Sequence, residues 1–260
     1  MKNLARSVVL IIYVLLANVS PTLAQANYEI QVYGSDLVEP KHTMIELHSN
    51  YTLRGTTTTI NGVLPTQDAF HETLEITHGF NHFFECGFYL FMAAQHSYGW
   101  QIAGSHIRPR FSVPESYKWP FGFSISQEFG YLQGKFAEDS WTYELRPILD
   151  KKWGKYYLGF NPALEKSLHG SGASAGWEFS PNVKFSIDVT PKVSLGVEYY
   201  GSYGPLSGFD PWSQRSQQLF PSIDLNIAPD LEFNFGVGFG LTSSTDHMIV
   251  KMILGKRMNW

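Results

Sequence analysis

Strict alternation of apolar and polar residues is the feature of this sequence that most limits its fold. Residues 231–241 place Leu, Phe, Phe, Val, Phe and Leu at odd positions, and Glu, Asn and three Gly at even positions. Residues 45–54 alternate in the same way, with Ile, Leu, Ser, Tyr and Leu on one face and Glu, His, Asn, Thr and Arg on the other. Because successive side chains of a β-strand point to opposite faces, this pattern predicts strands with one apolar and one polar face.

About a dozen such segments follow one another along the chain. They lie near residues 43–54, 69–79, 83–95, 100–111, 120–131, 140–150, 156–166, 173–187, 192–203, 219–227, 231–242 and 247–260. Two kinds of connection alternate between them: mostly short ones at His78–His82, Val113–Trp119, Lys151–Lys155, Asp188–Lys192 and Ala228–Asp230, and polar, Gly-rich loops at Gly55–Asp68, Gln133–Asp139, Ser167–Gly172 and Gly201–Gln218. This rhythm predicts an all-β, up-and-down transmembrane antiparallel barrel of about 12 strands, formed as one domain over residues 27–260.

Composition leaves two classes of protein open. The 260 residues are 43% hydrophobic, 15% aromatic and 16% charged, with a mean hydropathy of −0.15. The chain is too apolar for a disordered protein, and its single cysteine, Cys86, excludes a disulfide scaffold. The only long apolar run is N-terminal, which excludes a bundle of transmembrane helices. A soluble all-β domain or a membrane barrel remains, and closure into a barrel would remove exposed sheet edges.

The N-terminus predicts export. Lys2 and Arg6 precede an apolar stretch from Val8 to Ala17, which is too short to span a bilayer but normal for a secretory signal. Ala24-Gln25-Ala26 places cleavage after Ala26, with Ala24 as the alternative, so residues 1–26 are the predicted signal peptide. The mature chain then has 17 Lys and Arg against 23 Asp and Glu, a formal charge of −6, which argues against nucleic acid as a partner.

Tryptophan placement favours the membrane barrel over a soluble sandwich. Six of the seven tryptophans fall at or beside predicted strand ends: Trp119, Trp153 and Trp260 at one rim, and Trp100, Trp141 and Trp177 at the other. Two aromatic girdles are expected where a barrel meets the two surfaces of a bilayer. The last strand ends in Trp260, which resembles the signal read by the outer-membrane barrel assembly machinery. We therefore expect a Gram-negative outer-membrane location in contact with lipid.

The polar faces of the strands predict the lining of the lumen. By parity the candidate lumen-lining residues are Glu46, His48, Glu75, Glu85, Arg108, Arg110, Glu128, Glu144, Arg146, Glu198, Asp224 and Lys251, with Arg54, Glu165, Glu178, Lys184, Glu232 and Arg257 on the same face. A bulge near Gly104 would reconcile the outward Trp100 with the inward Arg108. These charges could pair and fill the barrel, or form a constriction that selects solutes, with a weak preference for cations.

Sequence strings that imitate catalytic and metal motifs do not predict such sites here. Residues 172–176 match the G-x-S-x-G nucleophile elbow around Ser174, but a strand follows them where the elbow needs a helix. His78 and His82 have the spacing of helical zinc ligands, but they flank a predicted turn and no third ligand is evident. The sequence thus predicts no catalytic residue, no cofactor and no metal ligand set, and Cys86 is expected to be a packing residue.

Three stretches, Thr77–Tyr89, Thr190–Gly201 and Asn226–Leu241, together resemble the outer-membrane barrels known as meta-pathway phenol degradation proteins. The similarity extends over roughly residues 40–260 and consists of glycine, aromatic and turn positions. It implies a channel for small aromatic or hydrophobic compounds, and it carries over no catalytic residues.

The resulting prediction of function is a passive outer-membrane channel for small solutes. One alternative is a structural or adhesive barrel with a plugged lumen, in which the loop Gly201–Gln218 contacts a partner or folds inward. Another is an outer-membrane lipid-modifying enzyme, for which Ser174 is the only named candidate nucleophile.

Overall fold

The computed structural model describes residues 27–259. The predicted signal peptide over residues 1–26, its cleavage site and the terminal Trp260 lie outside the described residues. Within the described part of the chain, no helix is long and apolar enough to cross a membrane.

The described chain forms a closed barrel of twelve antiparallel strands. They are β1 (His42–Arg54), β2 (Phe70–Asn81), β3 (Phe84–Gln95), β4 (Gly99–Ser112), β5 (Gly122–Leu132), β6 (Trp141–Trp153), β7 (Tyr156–His169), β8 (Glu178–Thr190), β9 (Val193–Ser202), β10 (Ser216–Leu225), β11 (Leu231–Gly240) and β12 (Met248–Asn259). Each strand pairs with the next, and β1 pairs with β12, so the sheet has no open edge. The predicted all-β up-and-down barrel is confirmed.

The two ends of the barrel differ in the length of their connections. The turn end carries residues 82–83, 113–121, 154–155, 191–192 and 226–230, and the loop end carries residues 55–69, 96–98, 133–140, 170–177, 203–215 and 241–247. In outer-membrane barrels the short turns face the periplasm and the long loops face outward. Strand β8 begins at Glu178, not near residue 173 as predicted, because Ser171–Ser174 form a 3-10 turn and Gly176 has a φ of +93°.

The predicted bulge in the fourth strand is confirmed. The register between β3 and β4 shifts next to Gly104 and leaves Ala103 as an extra residue. On the loop side of this shift Ile102 is exposed on the outside, whereas Arg108 on the other side is buried. One added residue therefore moves the polar set of β4 to the interior.

Large apolar side chains cover the outside of the barrel. Those with substantial exposure include Leu47, Ile76, Phe88, Ile107, Phe129, Phe160, Phe185, Val197, Phe235 and Leu254. A continuous apolar band of this kind is the lipid-facing surface of a membrane barrel.

Aromatic residues mark the two borders of this band. Trp119 and Trp153 are exposed at the turn end, and Trp100 and Trp141 are exposed at the loop end. Trp177, also at the loop end, lies 5.8 Å from the ring of Tyr143. The described tryptophans thus occupy the rims to which the sequence assigned them, and rings of this type anchor a barrel at the bilayer surfaces.

Residues 27–41 precede β1 and pass through the inside of the barrel. We call Asn27–Glu39 the lumenal segment. The side chain of Asn27 contacts Asp246 at the loop end, and the amide of Lys41 donates to the carbonyl of Gly79 at the turn end. A Cβ at Gly79 would come within 2.2 Å of the carbonyl oxygen of Val38, so glycine at this position lets the segment leave the lumen beside β2.

Candidate functional site

The twelve candidate lumen-lining residues all have side chains that turn toward the interior. Ten of them are buried and two, Glu144 and Asp224, are half-buried. The barrel brings ten of them together in three groups, which lie on β2–β4, on β4–β6 and on β8–β12, and the other two, Glu46 and His48, lie on β1.

The first group joins β2, β3 and β4. Nη2 of Arg108 lies 2.7 Å from Oε1 of Glu75 and 3.6 Å from Oε1 of Glu85. Arg110 lies 3.4 Å from the same oxygen of Glu85 and donates to Oγ of Ser124 at 3.1 Å. Each buried charge in this group is compensated by a charge on a neighbouring strand, and removal of one member would leave another without compensation. The group therefore joins the three strands to one another.

The second group joins β4, β5 and β6. Arg146 donates two hydrogen bonds to the carboxylate of Glu144, at 2.5 and 2.9 Å. Nδ1 of His106 lies 3.6 Å from a carboxylate oxygen of Glu128. Because the pair of Arg146 and Glu144 has two hydrogen bonds, the orientation of both side chains toward the lumen is fixed.

The third group joins β8 to β12. Glu198 forms an ion pair with Lys251 and lies 3.3 Å from Nζ of Lys184. Lys184 also contacts Asp224 at 2.8 Å, and the amide of Asn234 donates to Glu198 at 3.1 Å and to Asp224 at 2.7 Å. These contacts tie the closing strand of the barrel to the strands before it.

The wall binds the upper half of the lumenal segment through its backbone carbonyls. The side chain of Asn50 donates to the carbonyl of Asn27 at 2.9 Å, and the hydroxyl of Thr73 donates to the carbonyl of Tyr28 at 2.8 Å. Nζ of Lys251 donates to the carbonyl of Ile30 at 3.0 Å. Residues from three strands therefore satisfy backbone groups that would otherwise be buried without partners.

The lower half is held in the same manner. The side-chain amide of Asn161 accepts from the amide of Tyr33 at 2.8 Å and donates to its carbonyl at 3.0 Å. Arg110 donates to the carbonyl of Asp36 at 3.0 Å, and Glu85 accepts from the amide of Val38 at 2.6 Å. Two of the predicted lumen-lining residues thus bind the segment as well as each other.

Aromatic and aliphatic packing completes the contact. Two apolar clusters enclose the segment: one of Tyr28 with Tyr89, Phe91, Ala93, Ala103 and Leu132, and one of Ile30 and Val32 with Tyr200, Phe220 and Ile249. Two guanidinium groups lie over the ring of Tyr33, that of Arg108 at 4.7 Å and that of Arg146 at 5.1 Å. Tyr33 therefore makes cation–π contacts with both arginines.

The described residues fill the lumen at its middle in this conformation. Side chains from four parts of the wall, His48, Tyr89, Ile148 and Phe220, are fully buried. The segment and the charged groups together thus fill the barrel at this level.

The other positions considered from the sequence lie away from this site. Ser174 ends the 3-10 turn between β7 and β8, and a strand follows it. His78 contacts Thr43 at 2.8 Å, and His82 is exposed in the turn after β2. Cys86 is a half-buried free cysteine on β3.

The loop predicted as a possible plug stays outside the lumen. In the connection from β9 to β10, Leu206, Phe209 and Trp212 are exposed. The segment that fills the lumen is instead the N-terminal Asn27–Glu39, for which the sequence predicts no role.

Comparison with known proteins finds similarity in structure and not in sequence. No protein-family model matches the chain, and no curated protein matches it. The structure of the KdgM porin is similar, with a TM-score of 0.52 and 10% identity over 82% of this chain and 98% of that one.

Two further solved structures are similar at lower scores. The outer membrane protein Omp33 of Acinetobacter baumannii has a TM-score of 0.47 and 11% identity over 87% of this chain and 100% of that one. The transport unit of the autotransporter AIDA-I from Escherichia coli has a TM-score of 0.47 and 12% identity over 90% and 95%.

The fold is therefore that of an outer-membrane barrel. With its apolar outer band and aromatic rims, the chain is an outer-membrane protein in contact with lipid, as predicted. The narrower resemblance to the meta-pathway phenol degradation proteins finds no support in these comparisons and stays a prediction.

Proposed function

We propose that the protein is a passive outer-membrane channel for small solutes that opens when the lumenal segment leaves the barrel. The observation that carries this proposal is the way the lumen is filled. The segment is extended, yet it forms no β-ladder with the wall and is held at separate points. An element held in this way can leave while the twelve-strand sheet keeps all its backbone hydrogen bonds.

The wall behind the segment supports a preference for small aromatic acids. Departure of the segment would uncover the rings of Tyr89, Phe91, Tyr200 and Phe220, together with the guanidinium of Arg108. Aromatic rings stack with planar solutes, and guanidinium groups bind carboxylates. This chemistry agrees with the solute class implied by the resemblance to the phenol meta-pathway barrels.

Conductance measurements test the proposal. The protein purified from outer membranes is inserted into planar bilayers, and a variant lacking residues 29–38 is measured beside it. We expect brief openings of the natural chain and sustained openings of the deletion variant. Uptake of benzoate into liposomes should also be faster than uptake of a neutral sugar of similar size. Heat-modifiable migration on detergent gels shows whether each variant is folded.

A structural or adhesive barrel is the second candidate, and the buried ion pairs of the lumen favour it. Pairs such as Arg108–Glu75 would seal the barrel without the segment. A deletion variant that folds and never conducts would contradict the channel proposal and support a structural or adhesive barrel. The exposed loop around Trp212 would then be its contact surface. Lipid hydrolysis that is lost in Ser174→Ala would instead support the alternative of an outer-membrane lipid-modifying enzyme.

Assembly through the C-terminal strand is a further part of the proposal. We expect the barrel assembly machinery to recognise β12 and the terminal Trp260. Removal of Trp260 should lower the amount of folded protein in the outer membrane, and an unchanged amount would reject this role.

A further inference from the structure

Two acidic residues face each other across neighbouring strands near the seam of the barrel. Glu46 on β1 pairs directly with Glu75 on β2, and both side chains are buried. On the other side of Glu46, the residue paired with it is Gly255, whose own partner on β11 is Glu232. Like charges opposite one another in a sheet are unfavourable, so a cation would stabilise this row of carboxylates.

The protein's own cations compensate only part of this row. Arg108 and the hydroxyl of Thr77 both contact Oε1 of Glu75, at 2.7 Å each, and leave its Oε2 without a hydrogen bond. Glu46 has no hydrogen bond or ion pair with any residue between 27 and 259. Its carboxylate therefore lies beside a second one without a cation in direct contact.

His48 points into the same place. It is fully buried, and neither ring nitrogen has a hydrogen-bond partner in the described part of the chain. Nε2 of His48 lies 3.4 Å from the free Oε2 of Glu75. A buried imidazole whose Nδ1 has no partner and whose Nε2 has only this long contact is unfavourable, because its nitrogens lose their hydrogen bonds with water.

These distances fit a single metal ion. One donor atom from each of Glu46, His48 and Glu75 lies within 4.8 Å of the other two. Nitrogen and oxygen ligands bind Zn²⁺ at about 2.0–2.2 Å, so two ligands of a tetrahedral ion are about 3.4 Å apart. The separation between His48 and Glu75 has this value.

We infer that Glu46, His48 and Glu75 form a site for one divalent transition-metal ion, of which Zn²⁺ is the best match to one imidazole and two carboxylates. The ion neutralises the facing carboxylates, occupies the free nitrogen of His48 and joins β1 to β2 beside the lumenal segment. Arg108 acts behind the site by orienting Glu75, as residues that hydrogen-bond to a metal ligand do.

A second group of possible ligands lies on β4, β5 and the lumenal segment. Donor atoms of Glu29, His106 and Glu128 also lie within 4.8 Å of one another, and both ring nitrogens of His106 lack hydrogen-bond partners in the described part of the chain. Glu29, however, belongs to the lumenal segment and already accepts a hydrogen bond from the hydroxyl of Tyr33. One of the three ligands is therefore held without an ion.

Metal content tests the inference. Because the ligands are enclosed, the purified protein is unfolded in urea and refolded in detergent with Zn²⁺, and unbound ion is removed before the zinc is measured by mass spectrometry. We expect one Zn²⁺ per chain. His48→Ala and the isosteric Glu46→Gln should each weaken binding by about 100-fold or more, since loss of even an outer-shell partner costs 10–100-fold.

The matched control is His71→Ala. His71 is also buried and on the inner face of β2, but its ring packs against Tyr28. We expect this variant to bind Zn²⁺ like the natural chain, with gel migration reporting the folding of each. Absence of bound zinc, equal binding by all variants, or loss of binding only in His106→Ala would overturn the proposal.

Discussion

The lumenal segment and the external loop Tyr203–Arg215 are of equal length, and both contain aromatic residues, yet they lie in opposite environments. Tyr28 and Tyr33 of the segment are buried at 3% and 5% exposure. Phe209 and Trp212 of the loop are 47% and 60% exposed. From aromatic content alone the loop was the better candidate for a plug.

The difference lies in where the two backbones find their hydrogen-bond partners. The loop finds its partners within itself and in the neighbouring loops: the amide of Asp210 donates to the carbonyl of Tyr203, and Arg215 donates to the carbonyl of Asp210 at 2.7 Å, whereas the amide of Leu206 donates to the carbonyl of Trp177. Partial burial raises the pKa of the Asp210 carboxyl, and Arg215 acts in the opposite direction. The segment makes no comparable fold of its own, so its carbonyls depend on donors of the barrel wall. Aromatic content alone therefore does not decide the position of either region, and the backbone donors of the wall distinguish the segment from the loop.

Deletion of the two regions should show the largest contrast. Removal of residues 29–38 is expected to change brief openings into sustained conductance, because the lumen loses its central occupant. Removal of residues 204–213, which is equally long, should leave single-channel conductance unchanged. Equal effects of the two deletions in planar bilayers would contradict the comparison.

Arg110→Ala should have the largest effect of a single substitution. It removes donors to the segment and leaves Glu85 with a 3.6 Å contact to Arg108 as its one remaining cationic neighbour among the described residues, beside the amide of Val38. Loss of one partner of a buried ion pair costs about 3–5 kcal/mol of the free energy of unfolding. Urea unfolding in lipid vesicles, followed by tryptophan fluorescence, measures it. Arg54→Ala, at the exposed end of β1, is the control and should change this free energy by less than about 0.5 kcal/mol.

Substitution of two asparagines that face each other on β7 and β8 tests whether a single hydrogen-bonding side chain holds the lumenal segment. Asn161 binds the backbone of Tyr33, whereas its cross-strand neighbour Asn182 is equally buried and has no side-chain hydrogen bond in the described structure. Asn161→Ala should lose about 1–3 kcal/mol and increase the frequency of channel opening. If Asn182→Ala opened the channel as often, the contact with Tyr33 would not be what holds the segment.

Arg215→Ala should have the smallest effect. The guanidinium lies 4.9 Å from the ring of Tyr203 and 5.8 Å from that of Phe209. The substitution removes cation–π contacts of about 0.5–1 kcal/mol each and the hydrogen bond of the half-buried Arg215 to the carbonyl of Asp210, so the loop should be cleaved faster by chymotrypsin while conductance stays the same. Ser213→Ala, at an exposed position of the same loop, should alter neither property, and a change in conductance in either variant would link the loop to the lumen.

The strands and their inner faces could be predicted because a period of two is a local signal. Alternation around Glu46 and His48 places both side chains on the inner face of β1 without knowledge of any other strand. The conflict between Trp100 and Arg108 also located the bulge.

Contacts between distant residues were beyond such local reasoning. The lumenal segment has partners on strands as far apart as β1, β7 and β12, and no spacing in the sequence links them. Its one local signal is the alternation of Tyr28, Ile30 and Val32 with polar residues, which resembles that of a strand. The cluster of Glu46, His48 and Glu75 likewise depends on the register of β1 with β2. His78 and His82 have the spacing of a helical zinc motif, but His78 lies near the end of β2 and His82 lies in the turn that follows.

The hydrogen bond between Lys251 and Ile30 joins residues 221 positions apart. It forms only when β12, the last strand of the chain, has paired with β1. Contacts of such long range are made late, because the entropy of closing the loop between them must be overcome first. During biogenesis the lumenal segment, which contains the first residues of the described chain, therefore acquires its contact with β12 late. The lumen is filled in the same step in which β12 pairs with β1 and closes the barrel.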